Sequence, residues 1–230
     1  MDVASKSRLL LIEGIVGSGK SSTAKELARR LHKNGRPARW VREEAADHPV
    51  TAKSEDRPEP IVTRIEWWLR HWTNIAARND DMDLVLEGTA FQSTVRMLFA
   101  ERVPRSRIDE YVDQFIVALR PADARMIYLR RLHPERDLRE RVLPLRGEDW
   151  TARVARYCES TPIGRGRGWR GADGLVAFWC EYRALCDELV DRMDIPALSI
   201  DPTGRAWSAI HDEIEAWVLQ SRDEISSLTA

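Results

Sequence analysis

The sequence predicts a three-layer α/β/α protein with a five-stranded parallel sheet and a helical or loop lid. Two observations predict this fold class. Short apolar segments alternate along the chain with longer segments in which apolar residues recur at helical spacing, as in parallel sheets that helices cover on both faces. Polar residues follow the strands, at the edge where open parallel sheets bind ligands. The 230 residues fit one domain, with the lid at about 130–174.

The first half of the chain predicts three strands and three helices. Residues 8–13 are short, apolar and followed by glycine, as expected of a buried parallel strand. Residues 19–34 carry apolar side chains at i, i+3, i+4 and i+7, one face of a helix, and Gly35 is a typical helix end. The other predicted elements are strands at 38–42 and 83–87, a polar loop over 43–60, and helices at about 61–79 and 92–101.

The second half continues the alternation. The segment after the fourth strand is basic and helical from Pro134, a residue that suits the first helical position. Residues 161–174 hold five of the twelve glycines, so we expect a flexible loop there. The other predicted elements are helices at 107–119, about 175–193 and about 205–221, and strands at 124–129 and 196–200.

The composition is that of a globular protein, with 43% hydrophobic and 32% charged residues and a formal net charge of -1. This charge argues against a nucleic-acid partner, because a large phosphate footprint needs many cations. We find no secretory pattern and no apolar stretch near the roughly 20 residues that span a bilayer. We therefore expect a cytoplasmic protein that binds no membrane. The three cysteines lack metal-ligand spacing and are expected to be free thiols.

Residues 14–21 match the phosphate-binding loop G-x-x-x-x-G-K-[ST] without a mismatch, between a predicted strand and a predicted helix. Glycines let backbone N–H groups turn toward an anion, and the helix N-terminus adds its positive end. We therefore expect ATP and Mg²⁺ as cofactors, with an exposed Lys20 on the β- and γ-phosphates and Ser21 on the metal. The expected ATP-binding residues of this loop are Gly14, Val16, Gly17, Ser18, Gly19, Lys20, Ser21 and Ser22.

Other segments resemble the thymidylate-kinase branch of the nucleoside and nucleotide kinases. The first strand with its loop is similar to that family's opening, residues 41–44 to its Arg-Glu pair, and residues 121–129 to its fourth strand. The resemblance implies a P-loop NTPase fold with strand order 2-3-1-4-5 and a basic lid. Those kinases carry Asp-Arg after the third strand, whereas this chain has Glu87 and Gly88. The resemblance therefore does not specify thymidylate as the acceptor.

Carboxylates follow two predicted strands. Glu87 ends the third strand and can order a metal-bound water or accept the proton of the acceptor, so we expect it to be catalytic and to help hold the metal. Its alternative role is to cap the next helix. Glu43 and Glu44 follow the second strand and are expected to bind the acceptor together with Gln92, unless they form a solvated turn. Glu13 is assigned a structural role.

A second stripe on the helix at 61–79 predicts further acceptor contacts. Its members recur at spacings of three and four residues, opposite the apolar face. Trp67 is expected to stack on a flat acceptor, with Arg64 beside it for an anion. The alternative is an exposed face or a homodimer contact. The stripe consists of Arg64, Trp67, His71, Asn74 and Arg78.

Arginines crowd the predicted lid. Guanidinium groups that close over a transferring phosphoryl group stabilise its charge and exclude water. We expect Arg131 and Arg139 to be catalytic, and Arg165 and Arg167 to bind ATP phosphates. A solvated basic surface is the alternative, and it must hold for most of the lid arginines, which also include Arg130, Arg136, Arg141 and Arg170.

These features predict a kinase that moves the γ-phosphate of ATP to a small acceptor, which can be a nucleoside, a nucleotide or another hydroxylated metabolite, antibiotics included. Two other classes stay open: a P-loop switch or ATPase that acts through a protein partner, and a kinase of nucleic-acid 5′ ends. The chain lacks the Asn-Lys-x-Asp motif of guanine-binding switches. ATP turnover that requires a small acceptor would distinguish the first class from the other two.

Overall fold

Five parallel strands form the central layer of the protein. In the computed structural model, which describes residues 7–50, 60–78 and 81–221, their order is β2-β3-β1-β4-β5. Each predicted strand is confirmed to within one residue at either end, and the predicted order is confirmed. The strands are Arg8–Glu13 (β1), Ala38–Val41 (β2), Asp83–Glu87 (β3), Asp123–Leu129 (β4) and Ala197–Ile200 (β5).

Helices cover both faces of this sheet, which is why all six residues of β1 are buried. Alternate residues of a strand point to opposite faces. Leu9 and Leu11 belong to a first hydrophobic cluster, with the aromatic side chains of Trp68 and Trp72. Leu10 belongs, with Ile12, to a second cluster on the other face, built from the first helix and the last. The three-layer α/β/α architecture is thereby confirmed.

The helices follow the predicted order, with some of them divided. The long predicted helix begins as a 3₁₀ turn over Ile61–Thr63, and π-helical turns over Phe91–Val95 and Leu138–Val142 each precede a short α-helix. Residue 79, the last residue of the helix predicted at 61–79, lies outside the described residues, as do residues 51–59 of the predicted loop. The α-helices are Lys20–Lys33 (α1), Arg64–Ala76 (α2), Arg96–Ala100 (α3), Arg105–Leu119 (α4), Pro134–Asp137 (α5), Leu143–Arg146 (α6), Glu148–Ser160 (α7), Pro162–Arg167 (α8), Gly171–Asp191 (α9) and Trp207–Leu219 (α10).

The expectation of a flexible loop at 161–174 is wrong, because helix α8 and the first turn of α9 occupy this segment. Thr161 caps α8 by accepting a hydrogen bond from the backbone N–H of Gly164 at 3.1 Å, and Pro162 takes the first helical position. A Cβ on Gly164 would overlap the carbonyl oxygen of Cys158. This glycine therefore permits α7 and α8 to approach closely, and its presence does not indicate mobility.

The predicted lid is helical in this structure. It contains α5 to α8, and the π-helical turn at 138–142 lies over the loop that follows β1. Of the helices that the structure describes, none combines the length and the apolar character needed to cross a membrane.

Candidate active site

The loop at 14–19 joins β1 to α1 and matches the phosphate-binding motif. Gly17 has φ +73, and a Cβ there would overlap Val142 of the lid. A Cβ on Gly19 would overlap the indole of Trp207, the first residue of α10. No side chain caps the start of α1, so its first backbone N–H groups remain available to an anion. The loop therefore has the form of a phosphate cradle.

Lys20 is only 6% exposed, so the expectation of an exposed lysine is wrong. Its ammonium group donates to the carbonyl oxygen of Ile15 at 3.1 Å. Burial lowers the pKa of Lys20, while the carboxylates of Glu43, Glu13 and Glu87 act in the opposite direction. The lysine thus lies inside the loop among three carboxylates that come from the ends of three adjacent strands.

Glu87, the last residue of β3, lies beside the first turn of α1, on the sheet face that this helix covers. One carboxylate oxygen accepts a hydrogen bond from the Ser21 hydroxyl, and the other accepts one from the indole N–H of Trp40 at 3.1 Å. The structure thus brings together the two residues predicted to hold a metal. A hydroxyl and a carboxylate fit Mg²⁺, which is usually bound by one or two protein oxygens together with substrate phosphates. No group of three His, Cys, Asp or Glu residues in the described part of the chain could hold a metal by itself.

Glu13 lies at the end of β1 and is fully buried. Its Oε1 accepts a hydrogen bond from the backbone N–H of Ala90 at 2.7 Å. Burial raises the pKa of this carboxyl group to about 8, against the opposing effect of nearby Lys20. Sequence reasoning gave Glu13 only a structural role. Its hydrogen bond to the backbone of Ala90 agrees with that role, and its charge also acts on Lys20.

Glu43 and Gln92 meet beyond the ends of β2 and β3. The carboxylate of Glu43 accepts hydrogen bonds from Gln92 Nε2 at 2.6 Å and from Ser93 Oγ at 3.1 Å, and burial raises its pKa. A Cβ on Gly88 would lie 3.0 Å from Glu43 Oε2 and 3.3 Å from Lys20 Cε. This close approach explains why the position after Glu87 carries no side chain.

Arg96 is a cation of this region that sequence reasoning missed. Its Nε donates to the carbonyl oxygen of Gln92 at 2.8 Å, and its Nη1 donates to the hydroxyl of Tyr157 at 2.6 Å. Its charge is close enough to favour the ionised form of Glu43. No motif marks this arginine, because it lies one turn beyond Gln92, away from the end of β3, and its position depends on the π-helical turn before it.

The other predicted acceptor residues have different surroundings from those expected. Trp67 is 8% exposed and packs in the first cluster, with its ring centroid 4.1 Å from that of His71. Arg64 is buried as well, whereas Glu44 is exposed. The alternative of an exposed face is therefore wrong for the first two members of the stripe, Arg64 and Trp67. Contact of these side chains with an acceptor stays a prediction.

Two lid arginines lie against the phosphate loop. Arg131 is 4% exposed, and its Nη2 is 3.4 Å from the carbonyl oxygen of Ser18. Arg141 donates from its Nη2 to the carbonyl oxygen of Gly17 at 3.0 Å. Arg131 was predicted to act here, whereas Arg141 was noted only as part of the basic stretch.

The other predicted lid cations have contacts elsewhere. Arg139 is exposed and pairs with Glu135 at 3.1 Å and Asp173 at 2.7 Å. Arg167 pairs with Glu181 at 2.7 Å, and Arg165 donates to a backbone carbonyl. In these positions the three arginines do not contact the loop. A π-helical turn contains more residues than an α-helical turn, which changes the face on which the arginines of the 138–142 segment lie.

Comparison with known proteins supports the fold. No protein-family model matches the sequence, and no curated protein matches it. The solved structure of thymidylate kinase from Ehrlichia chaffeensis is similar over 94% of this chain and 100% of its own, with 11% identity and a TM-score of 0.53. The YorR protein from Bacillus subtilis, solved with phosphorylated GDP, matches over 91% of this chain and 95% of its own, with 14% identity and a TM-score of 0.48. The likeness to the thymidylate kinase shows that the two chains share a fold.

Proposed function

We propose that this chain, which has a P-loop kinase fold, moves the γ-phosphate of ATP to the hydroxyl group of a small acceptor. The observation that carries the proposal is the place of Lys20. Its side chain lies between the phosphate loop and two carboxylates, with Glu87 toward the loop helix and Glu43 toward the polar cluster beyond β2. A nucleotide on one side and an acceptor on the other would meet at this lysine.

The nucleotide side of the site would be formed by the loop. The backbone N–H groups at the start of α1 would bind phosphate oxygens, and Lys20 would leave the Ile15 carbonyl for the β- and γ-phosphates. The Ser21 hydroxyl and the Glu87 carboxylate would hold Mg²⁺. When bound with ATP, this ion would supply positive charge that offsets the charge of the phosphates. Arg131 and Arg141 would stabilise the charge of the transferring group from the lid.

The acceptor side would be formed by Glu43 and its neighbours. Gln92 and Ser93 fix the Glu43 carboxylate, and burial raises its pKa, which makes it a stronger proton acceptor. It can therefore orient an acceptor hydroxyl toward the γ-phosphate. Arg96 lies next to this carboxylate and offers a cation for an acidic or carbonyl group on the acceptor.

The test is an ADP-release assay over nucleosides, nucleotides and small hydroxylated metabolites, with Mg²⁺ and ATP. We expect turnover only when a small acceptor is present. Lys20→Ala should abolish transfer, whereas Lys25→Ala, on an exposed position of the same helix, should not. Turnover without any acceptor would favour an ATPase, and turnover with DNA or RNA ends alone would favour a nucleic-acid kinase. Full activity in folded Lys20→Ala protein would exclude the proposed mechanism.

A further inference from the structure

The indole of Trp40 joins strand β2 to the Glu87 carboxylate. Trp40 pairs with Val85 across the β2–β3 ladder, and Glu87 follows two residues later on the same face of the sheet. The indole N–H donates to Glu87 Oε2 at 3.1 Å, while Glu87 Oε1 accepts from Ser21. Both carboxylate oxygens are thus hydrogen-bonded, by donors that come from two different elements.

Packing alone does not require a tryptophan here. The ring of Trp40 packs, partly buried, against the second cluster, which otherwise consists of aliphatic side chains and one further tryptophan, Trp217. A phenylalanine or leucine could fill such a place. The indole adds one polar group, and a buried Trp N–H needs an acceptor. The acceptor that it has is the side chain placed to hold the metal.

A fixed carboxylate is a better metal ligand than a free one. Rotation about the terminal bond of a glutamate costs little, so an unsupported carboxylate must be ordered when the metal binds. Partners that hydrogen-bond to a metal ligand orient it and commonly change metal affinity or activity by about 10- to 100-fold. Trp40 restrains Oε2 and leaves Oε1 directed toward the Ser21 hydroxyl.

We propose that Trp40 is a positioning residue for magnesium, which holds the Glu87 carboxylate in the orientation that binds Mg²⁺·ATP. The inference rests on the proposed function, because it takes Ser21 and Glu87 as the residues that hold the metal. Trp40 itself would touch neither nucleotide nor metal. It would act through Glu87, so its removal should affect the binding of the metal more than the binding of the nucleotide.

The test compares Trp40→Phe with the wild type in two titrations. Calorimetry measures ATP affinity first in EDTA and then across a range of Mg²⁺ concentrations. We expect the metal-free affinity to stay within about twofold and the half-saturating Mg²⁺ concentration to rise about tenfold. Trp217→Phe, at the other tryptophan of the second cluster, is the matched control and should leave both values as in the wild type.

The outcomes separate this inference from the proposed function. If the wild type shows no Mg²⁺-dependent ATP binding, both are wrong. If the wild type shows it and Trp40→Phe has the same Mg²⁺ dependence, only the role of Trp40 is overturned. If Trp40→Phe weakens the binding of metal-free ATP and of Mg²⁺·ATP equally, the role of Trp40 is also overturned, since that result indicates a general packing role. Should Trp40→Phe fail to fold, Trp40→Leu is measured in its place with the same criteria.

Discussion

Replacing Glu13 by glutamine should stabilise the protein at pH 8 and change its stability little at pH 5. Burial raises the pKa of this carboxyl group from 4.5 to about 8. Between these values the folded protein keeps a proton that the unfolded chain releases, so stability falls as pH rises. At about 1.4 kcal/mol for each pKa unit, the loss in the wild type reaches at most about 5 kcal/mol by pH 8. Glutamine does not titrate, and its oxygen can still accept from Ala90.

The assay is urea unfolding of both proteins at pH 5, 6, 7 and 8, and the quantity of interest is the difference between their free energies of unfolding. His48 also makes the stability depend on pH in this range, because burial lowers its pKa from 6.5 to about 4 in the folded protein, so that only the unfolded chain takes up its proton near pH 6. The contribution of His48 to the free energy of unfolding rises with pH, but this contribution is the same in both proteins and cancels in the difference. Glu44→Gln, which removes an exposed carboxylate, is the control for loss of charge. A difference between wild type and Glu13→Gln that does not grow with pH would refute the reasoning.

Three further predictions concern the loop and the lid. Arg141→Ala should lower kcat at least about tenfold, because the guanidinium of Arg141 lies on the loop. In the same steady-state assay Arg139→Ala should keep a kcat near that of the wild type, and equal losses of kcat in the two variants would contradict this. Gly17→Ala should cost about 2 kcal/mol or more in urea unfolding, and Gly35→Ala, with similar φ but open space around it, about 1 kcal/mol. ATP with Mg²⁺ at a hundredfold excess over Kd should stabilise the protein by about 2.7 kcal/mol in thermal unfolding, and no stabilisation would exclude nucleotide binding.

The fold could be predicted from the sequence because its signals are local. A short apolar segment, a glycine and a helical repeat are each contained in a few residues, so the strands and α1 were placed correctly. The proximity of Ser21 to Glu87, and of Glu43 to Gln92, followed from the rule that open parallel sheets bind ligands beyond the carboxyl ends of their strands. That rule places a residue at an edge of the sheet without fixing its hydrogen bonds, so the support of Glu87 by Trp40 was not foreseen.

The sequence is least informative where one element decides the surroundings of another. Periodicity shows that Arg64 and Trp67 share a face of α2, but it cannot show that other elements cover that face. Glycine content suggested mobility at 161–174, whereas Gly164 is needed for the contact between α7 and α8. Among the lid arginines, Arg141 contacts the loop and Arg139 does not, in a segment where the π-helical turn at 138–142 interrupts the α-helix.

The contact of Val142 with Gly17 makes two distant positions dependent on each other. A side chain at residue 17 has no room while valine occupies residue 142. A smaller residue at 142 would remove the steric part of that restriction and leave the backbone part, set by the positive φ of residue 17. In a library that varies both positions, alanine at 17 should therefore be recovered mainly together with alanine or glycine at 142. The same reasoning links Gly19 to Trp207, so in such a library we expect two of the motif's glycines to covary with residues more than a hundred positions away.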